Sequence, residues 1–198
     1  MDTVSLTTFM DFASKAGPPK LTVVRNWKNR DKYTPATDFY KRMREGIVEM
    51  HRDNHDVAYL ENLATGMNDA RKQKIYPELL AGYRHWWSGK ENVWFDPPNG
   101  IWKYDSLQVN VNPELGLYLG NTPYLIKLHF KKDKLTKGRV AAITHMMHKV
   151  SGANAPDDCQ MAVLDVRQGH LISGNSDPHT ESLLRGEATF WLTVWPDV

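Results

Sequence analysis

Apolar and polar residues alternate along the segment 107–131, with the period of a β-strand. The apolar positions fall into two runs: Leu107, Val109, Val111, Leu115, Leu117 and Leu119, then Tyr124, Ile126, Leu128 and Phe130. Gly120-Asn121 between the runs suits a two-residue turn, because both residues tolerate positive φ. The pattern therefore predicts a hairpin whose facing residues, like Gly120 and Asn121 themselves, have numbers that sum to 241.

This register predicts a hairpin with one apolar and one polar face. Glu114 would face Lys127, and Asn112 would face His129. The polar face would carry Asn110, Asn112, Glu114, Lys127, His129 and Lys131. Polar side chains gathered on one sheet face are candidates for binding or catalysis, so this face is the candidate functional surface.

Helical spacing of apolar residues predicts most of the remaining elements. Helices are expected at 5–15, from Thr34-Pro35 to about 52, at 56–64, from Asn68 or Asp69 to about 87, at 140–150 and at 179–195. Short strands are expected at 93–95, 101–104, 161–166 and 170–172. The basic segment Arg25–Lys32 is expected to be a solvated loop after a short strand at 21–24. Pro77 indicates either a kink or the first turn of a new helix.

The order of these elements predicts an α/β fold with a mixed sheet of four to six strands flanked by helices. The Gly-, Pro- and aromatic-rich segment 88–105 separates a helical N-terminal part, residues 1–90, from an α/β core with a C-terminal helix, residues 91–198. We expect the two parts to pack together as one compact unit.

Composition narrows the function classes only slightly. The 198 residues carry a net charge of +2, which does not by itself indicate a nucleic-acid or membrane partner. The single cysteine, Cys159, excludes an intrachain disulfide and is compatible with a reducing cytoplasm. The sequence has neither a signal-peptide pattern nor an apolar run long enough to span a bilayer. We therefore expect a cytoplasmic location.

Pro113-Glu114 near the end of the first hairpin strand and Lys127 on the second carry a resemblance to a known family. With the order helix, three strands, helix, strand, residues 93–172 resemble the PD-(D/E)XK nuclease-like superfamily. The resemblance implies that acids bind a divalent metal, here Mg²⁺, and that the lysine activates water or stabilises developing charge. It therefore implies catalytic roles for Glu114 and Lys127. Because the likeness is at the level of the fold, it supports a function only by analogy.

The sequence departs from the family pattern at position 125. The pattern places a second acid two residues before the lysine, and this chain has Leu125, which cannot ligate a hard cation. Glu45 or Glu49 of the long helix would have to complete a metal site with Glu114. Two alternatives stay open: a binding site that lost its metal, and an ordinary cross-strand ion pair between Glu114 and Lys127.

Two functions of different classes follow. The first is a nuclease-fold-like protein without efficient catalysis that binds nucleic acid or a partner through the polar hairpin face, using Asn112, His129, Lys131, Lys132 and Arg139. The second is a structural or protein-interaction module, in the form of a homodimer for example, with no nucleic-acid role. If the chain is an enzyme, the resemblance implies a metal-dependent nuclease.

Other chemistry-bearing residues give weaker signals. His145 and His148 share a helix face but have no third metal ligand nearby in sequence, and Cys159 has no adjacent histidine that would activate it. The aromatic residues Trp86, Trp87, Trp94, Phe95 and Trp102 could stack on bases, but their spacing favours a core role. No P-loop, dinucleotide fingerprint or nucleophile elbow is present.

Overall fold

The computed structural model describes residues 3–30, 38–65 and 68–198 and shows an α/β fold. The helices are α1 (Leu6–Ala13), α2 (Pro18–Lys28), α3 (Lys41–Arg52), α4 (Ala58–Ala64), α5 (Ala70–Trp87), α6 (Lys137–Ser151) and α7 (Pro178–Val194). The strands are β1 (Val4–Ser5), β2 (Asn92–Trp94), β3 (Gly100–Tyr104), β4 (Leu107–Val111), β5 (Leu115–Leu119), β6 (Thr122–His129), β7 (Gln160–Asp165) and β8 (His170–Ser173). Within these ranges, no helix is long and apolar enough to cross a membrane.

A five-stranded mixed sheet with the order β2-β5-β6-β7-β8 organises the molecule. Only β6 and β7 are parallel, and α6 connects them. The predicted hairpin is confirmed between β5 and β6, where the ladder runs from Leu115–Ile126 to Leu119–Thr122. Gly120 has a φ of +60°, as its place in the tight turn requires. The expected mixed sheet of four to six strands is therefore present.

The prediction that the segment 107–119 forms one strand of the hairpin is wrong. The strand ends at Val111, and a new one starts at Leu115. β4 belongs to a second sheet with the order β1-β4-β3, in which it pairs with β3 and, in parallel, with β1. Pro113 explains the break, because proline has no N–H to donate to a ladder. The expected ladder between β5 and β6 therefore does not extend to Asn112 and His129.

Alternate residues of the central strands pack into two hydrophobic cores, one on each side of the five-stranded sheet. Leu125 and Val163 belong to the first core, with apolar residues of α1, α6, α7 and the second sheet. Ile126 and Leu164 belong to the second core, with those of α3, α4 and α5. Residues from the first 90 positions contribute to both cores.

The N-terminal helices differ in part from the predicted elements. The loop predicted for the basic segment is largely wrong, because α2 extends from Pro18 to Lys28; the Pro-Pro pair opens this helix, a position that proline favours. Lys32 lies outside the described residues. Helix α3 begins at Lys41, and its expected start at Thr34-Pro35 also lies outside them. Helix α5 continues through Pro77.

Candidate functional site

All six residues of the predicted polar face line one cleft, although the strands that carry them belong to two sheets. The cleft, called the polar cleft below, has a volume of about 640 Å³. Asn110 and Asn112 reach it from the end of β4, and Lys127, His129 and Lys131 from the end of β6. Further lining residues are Trp27, Asp38, Tyr40, Arg44 and Arg139. Because Pro113 separates β4 from β5, Asn110 and Asn112 lie beside the end of β6.

Glu114 and Lys127 form a buried ion pair at the base of this cleft. Lys127 Nζ lies 2.6 Å from Glu114 Oε1, and the side chains of Lys127 and Glu114 are only 8% and 10% exposed, respectively. Lys127 Nζ also donates to the carbonyl oxygen of Asn112 at 2.8 Å and to its Oδ1 at 3.3 Å. Leu128 N–H donates to Glu114 Oε2 at 2.8 Å. Both carboxylate oxygens of Glu114 thus accept hydrogen bonds from the protein. The contacts of Glu114 and Asn112 with Lys127 and Leu128 connect the segment between β4 and β5 to β6.

The structure does not bring the helix glutamates to Glu114. Glu45 pairs with Lys41 at 3.5 Å, Glu49 accepts the hydroxyl of Tyr59 at 2.5 Å, and both glutamates line a different cleft. Helix α3 packs on the second core, whereas Lys127 follows Leu125 on the side of the first. Across the described ranges, no group of three or more histidine, cysteine or acidic side chains could hold a metal ion. The Mg²⁺ site proposed for Glu114, Glu45 and Glu49 is therefore not formed.

Arg139 and Lys131 share the carboxylate of Asp11, which sequence reasoning did not identify. Arg139 Nη2 donates to Asp11 Oδ1 at 2.7 Å, and Lys131 Nζ binds Asp11 Oδ2. Arg139 Nη1 donates to Ser14 Oγ at 3.4 Å, whereas Nε is buried without a hydrogen-bond partner among the described residues. Asp11 is about 120 residues from Lys131 in sequence, so only the tertiary fold reveals this cluster.

His129 is a buried donor at the end of β6. Its Nε2 lies 3.0 Å from the carbonyl oxygen of Asp133, and because a carbonyl only accepts, Nε2 carries the proton. Burial lowers the pKa of His129, and the hydrogen bond to the Asp133 carbonyl raises it in part. The charges of Arg139 and Lys131 also lower this pKa, and that of Asp165 raises it. The neutral form of His129 is therefore favoured at neutral pH.

A second cleft, called the basic cleft below, adjoins the first. It has a volume of about 960 Å³ and shares Met10, Trp27, Lys131 and Arg139 with the polar cleft. Its further charged lining residues are Asp11, Lys15, Arg30, Asp133, Lys134 and Glu187. Two stretches of the chain thus contribute basic residues to this cleft. Trp27 of α2 and Arg30, two residues beyond the end of α2, come from the first, and Lys131, Lys134 and Arg139 come from the segment 131–139.

Other basic residues of those segments point elsewhere. Lys132 is exposed and lines neither cleft. The pKa of Glu78 on α5 is lowered chiefly by the Arg167 guanidinium, and the charge of Lys132 lowers it further. Lys28 Nζ donates to the carbonyl oxygen of Trp195 at 2.9 Å. Of the expected binding residues, the polar cleft brings together Asn112, His129, Lys131 and Arg139, but not Lys132.

The paired histidines of α6 have different roles. His145 is buried, and its Nε2 lies 2.8 Å from Glu181 Oε2. Asp177 N–H donates to His145 Nδ1 at 3.2 Å, which fixes the proton on Nε2. His148 is exposed. His145 therefore joins α6 to the start of α7, and the two histidines do not share a metal site.

The aromatic residues confirm the core interpretation. Trp86 and Trp102 are buried, in the second and first core respectively, and Trp87, Trp94 and Phe95 pack against these cores. Cys159 is half-buried, and burial raises the pKa of its thiol, which disfavours the nucleophilic thiolate. Neither the aromatic residues nor Cys159 adds a reactive group to the polar cleft.

The two clefts are adjacent concave surfaces in which cations outnumber carboxylates. Among the described residues, Arg44, Lys127, Lys131 and Arg139 line the polar cleft with two carboxylates, Asp38 and Glu114. Comparisons with models of protein families, with curated proteins and with solved structures found no match.

Proposed function

We propose that this chain binds nucleic acid through the polar cleft and is a nuclease-fold-like protein without efficient metal-dependent cleavage. The observation that carries the proposal is the wall shared by the two clefts, where Lys131 and Arg139 lie around the single carboxylate of Asp11. Cations gathered along a groove neutralise backbone phosphates and so supply affinity that does not depend on sequence. Asn110 and Asn112 add side chains that can donate and accept hydrogen bonds.

The order of the elements supports the nuclease-like part of the proposal. Helix α5 is followed by β2, β5 and β6 as adjacent antiparallel strands, then by α6 and by β7 parallel to β6. This is the order on which the resemblance rests, with β3 and β4 inserted between β2 and β5. Pro113-Glu114 immediately precedes β5, and Lys127 lies within β6.

The site chemistry argues against efficient cleavage. Position 125, where the family pattern requires an acid, is a fully buried leucine of the first core. Both oxygens of Glu114 already accept hydrogen bonds, and Lys127 Nζ lies where a cation would otherwise approach Oε1. A metal ion would have to displace these contacts without a second carboxylate to offset its lost hydration.

The exposed apolar side chains do not favour the alternative of a protein-interaction module. Among the described residues, the large exposed ones lie on four different elements: Val93, Ile101, Ile172, Leu183 and Phe190. A protein-docking surface usually needs a contiguous apolar patch of several hundred Å². The concave cationic surface is the stronger candidate for an interface.

The test is fluorescence anisotropy with labelled single-stranded and duplex oligonucleotides at low and moderate salt. We expect binding that weakens steeply as the salt concentration rises, because lysine and arginine side chains that bind phosphates release counterions from them. The variant Lys131→Ala should weaken binding to every sequence and lower the salt slope by about one. The neighbouring substitution Lys132→Ala is the matched control, since Lys132 lines neither cleft. Absence of binding at low salt, or equal losses in both variants, would overturn the proposal.

A further inference from the structure

We propose that the nucleic acid bound by this chain is single-stranded and that one of its bases stacks on Arg30, whose guanidinium is held against Trp27. The inference rests on the proposed function and names the form of nucleic acid that the same surface takes. The Trp27–Arg30 pair carries it, because Trp27 lies where the polar cleft and the basic cleft adjoin. Among the described residues, Trp27 is the only aromatic residue that lines both clefts.

Helix α2 and the first core hold the Trp27 ring in place. Val23 and Trp27 are four residues apart on α2, so they share one face of the helix. Both residues pack against the first core, and both line the basic cleft. Trp27 is half-buried. The indole is therefore a rigid support within the cleft wall.

Arg30 covers this indole. Its Cζ lies 3.5 Å from the centroid of the Trp27 ring, and its Nη1 donates to the carbonyl oxygen of Trp27 at 2.5 Å. A guanidinium this close to an aromatic face is attracted by the quadrupole of the ring. Arg30 is nevertheless exposed, and it lines the basic cleft. Unpaired bases stack on arginine guanidinium planes as they do on aromatic rings, so the pair presents a preformed stacking surface.

The cations of the basic cleft are placed to meet the phosphates of a strand whose base stacks on Arg30. Lys15 and Lys134 are exposed and line this cleft. Among the described residues, five cationic side chains and three carboxylates line it, and one of these carboxylates, Glu187, pairs with Lys20 outside the cleft. The surface next to the stacking pair therefore keeps a net positive charge, which favours a phosphate backbone.

The shape of the surface favours a single strand over a duplex. Proteins read B-DNA with a protruding helix or ribbon that enters a groove about 12 Å wide. Here the cations and the Trp27–Arg30 pair line concave clefts instead. A duplex keeps its bases paired and stacked on one another, whereas a single strand exposes them and its backbone can follow a positively charged groove.

The first experiment separates the bases from the phosphates. Fluorescence anisotropy compares a labelled single strand, an abasic strand of the same length and a duplex of the same length, all at one low salt concentration. The abasic strand carries the same phosphates without bases, so it measures the electrostatic contribution alone. We expect the single strand to bind more tightly than the duplex. It should also bind about fivefold to 150-fold more tightly than the abasic strand, the gain from one stacked base.

The variant Arg30→Lys tests the stacking partner, because lysine keeps the positive charge but lacks the planar guanidinium. It should lower the affinity for the base-containing strand by about fivefold or more and leave that for the abasic strand unchanged. Arg25→Lys is the matched control, since Arg25 is an exposed residue of α2 that lines neither cleft. Thermal unfolding checks that both variants are folded. Deoxy and ribo versions of the strand identify the sugar, and the inference holds for the version whose affinity Arg30→Lys lowers.

Failure of this inference is distinguishable from failure of the proposed function. Three results would overturn the inference alone, provided that binding still depends on salt and on Lys131: equal affinity for single strand and duplex, equal affinity for the base-containing and abasic strands, or the same affinities in Arg30→Lys and Arg25→Lys. Absence of binding to every oligonucleotide at low salt would overturn the proposed function, and the inference with it.

Discussion

The burial of Glu114 and Lys127 changes what this ion pair contributes. A cross-strand pair on an exposed sheet face contributes only about 0–1 kcal/mol. Here the two side chains are about nine-tenths buried, and Lys127 Nζ has three acceptors within 3.3 Å. Loss of one partner would leave the other charge buried without compensation, which is far more costly than the loss of a surface pair.

We therefore predict that Glu114→Gln and Lys127→Met each lower the free energy of unfolding by about 3–5 kcal/mol. The double variant should lose less than the sum of the two, because no unpaired charge stays buried. Urea denaturation of the four proteins in this cycle measures the coupling. Single losses below about 1 kcal/mol would show that the pair behaves like a solvated surface contact.

His129 gives a pH-dependent prediction. Burial lowers its pKa in the folded protein below the unfolded value of about 6.5, so the unfolded state binds the proton more tightly. The contribution of His129 to stability is therefore complete above that value and falls as the pH drops toward the folded-state pKa. Urea denaturation across this range should show a smaller loss for His129→Gln than for the wild type. Parallel profiles would contradict the assignment.

At the scale of elements, a close approach between backbones fixes α5 on the central sheet. A Cβ at Gly82 would lie 2.3 Å from the carbonyl oxygens of Val166 and Arg167, which follow β7. These neighbours are backbone atoms, so no side-chain rotation could relieve the contact. Gly82 therefore sets how closely the helix of the second core can pack against the sheet.

We predict that Gly82→Ala lowers the free energy of unfolding by about 1–3 kcal/mol or more, the usual cost of overpacking. Gly186→Ala is the matched control, because it also lies within a helix but its Cβ would meet no atom within 4 Å. This substitution should raise stability by about 0.5–1 kcal/mol through helix propensity. Urea denaturation measures both, and a stabilising Gly82→Ala would contradict the packing argument.

Local patterns predicted an element well where a specific residue marks its start or its end. The turn at Gly120-Asn121 fixed the register of β5 and β6, and Asp69 caps α5 as expected. The strand break was missed because the apolar alternation continues across Pro113, although the missing N–H of proline was a usable signal. Helix α2 was also missed, although the pair Pro18-Pro19 was a usable signal, because proline favours the first turn of a helix.

The candidate site was less predictable than the elements. Period-two alternation correctly grouped the six polar residues that line the polar cleft. Periodicity could not place Asp11 beside Arg139, because helix periodicity gives a face and not the neighbour that the face meets. The same limitation applies to Glu45 and Glu49, whose helix packs on the opposite side of the sheet from Lys127.

At the scale of the whole molecule, the two clefts and the ion pair between the strands lead to a prediction about catalysis. We expect no Mg²⁺- or Mn²⁺-dependent cleavage of DNA or RNA by the wild-type chain above the rate without metal. Metal sites of this chemistry rely on carboxylates that offset the cation's hydration and fix its geometry. Here Glu114 Oε1 lies 2.6 Å from Lys127 Nζ, Oε2 accepts from Leu128 N–H, and Leu125 has no side-chain oxygen.

The assay compares the wild type with Glu114→Gln, with and without each metal, on oligonucleotides that the protein binds. Circular dichroism at the assay temperature must first show that the variant is folded, since loss of the buried pair is expected to be costly. Cleavage that requires the metal and disappears in folded Glu114→Gln would overturn the prediction. Such a result would mean that a cation displaces Lys127 Nζ from the carboxylate, and metal binding should then lower the stability contribution of Lys127 in the double-mutant cycle.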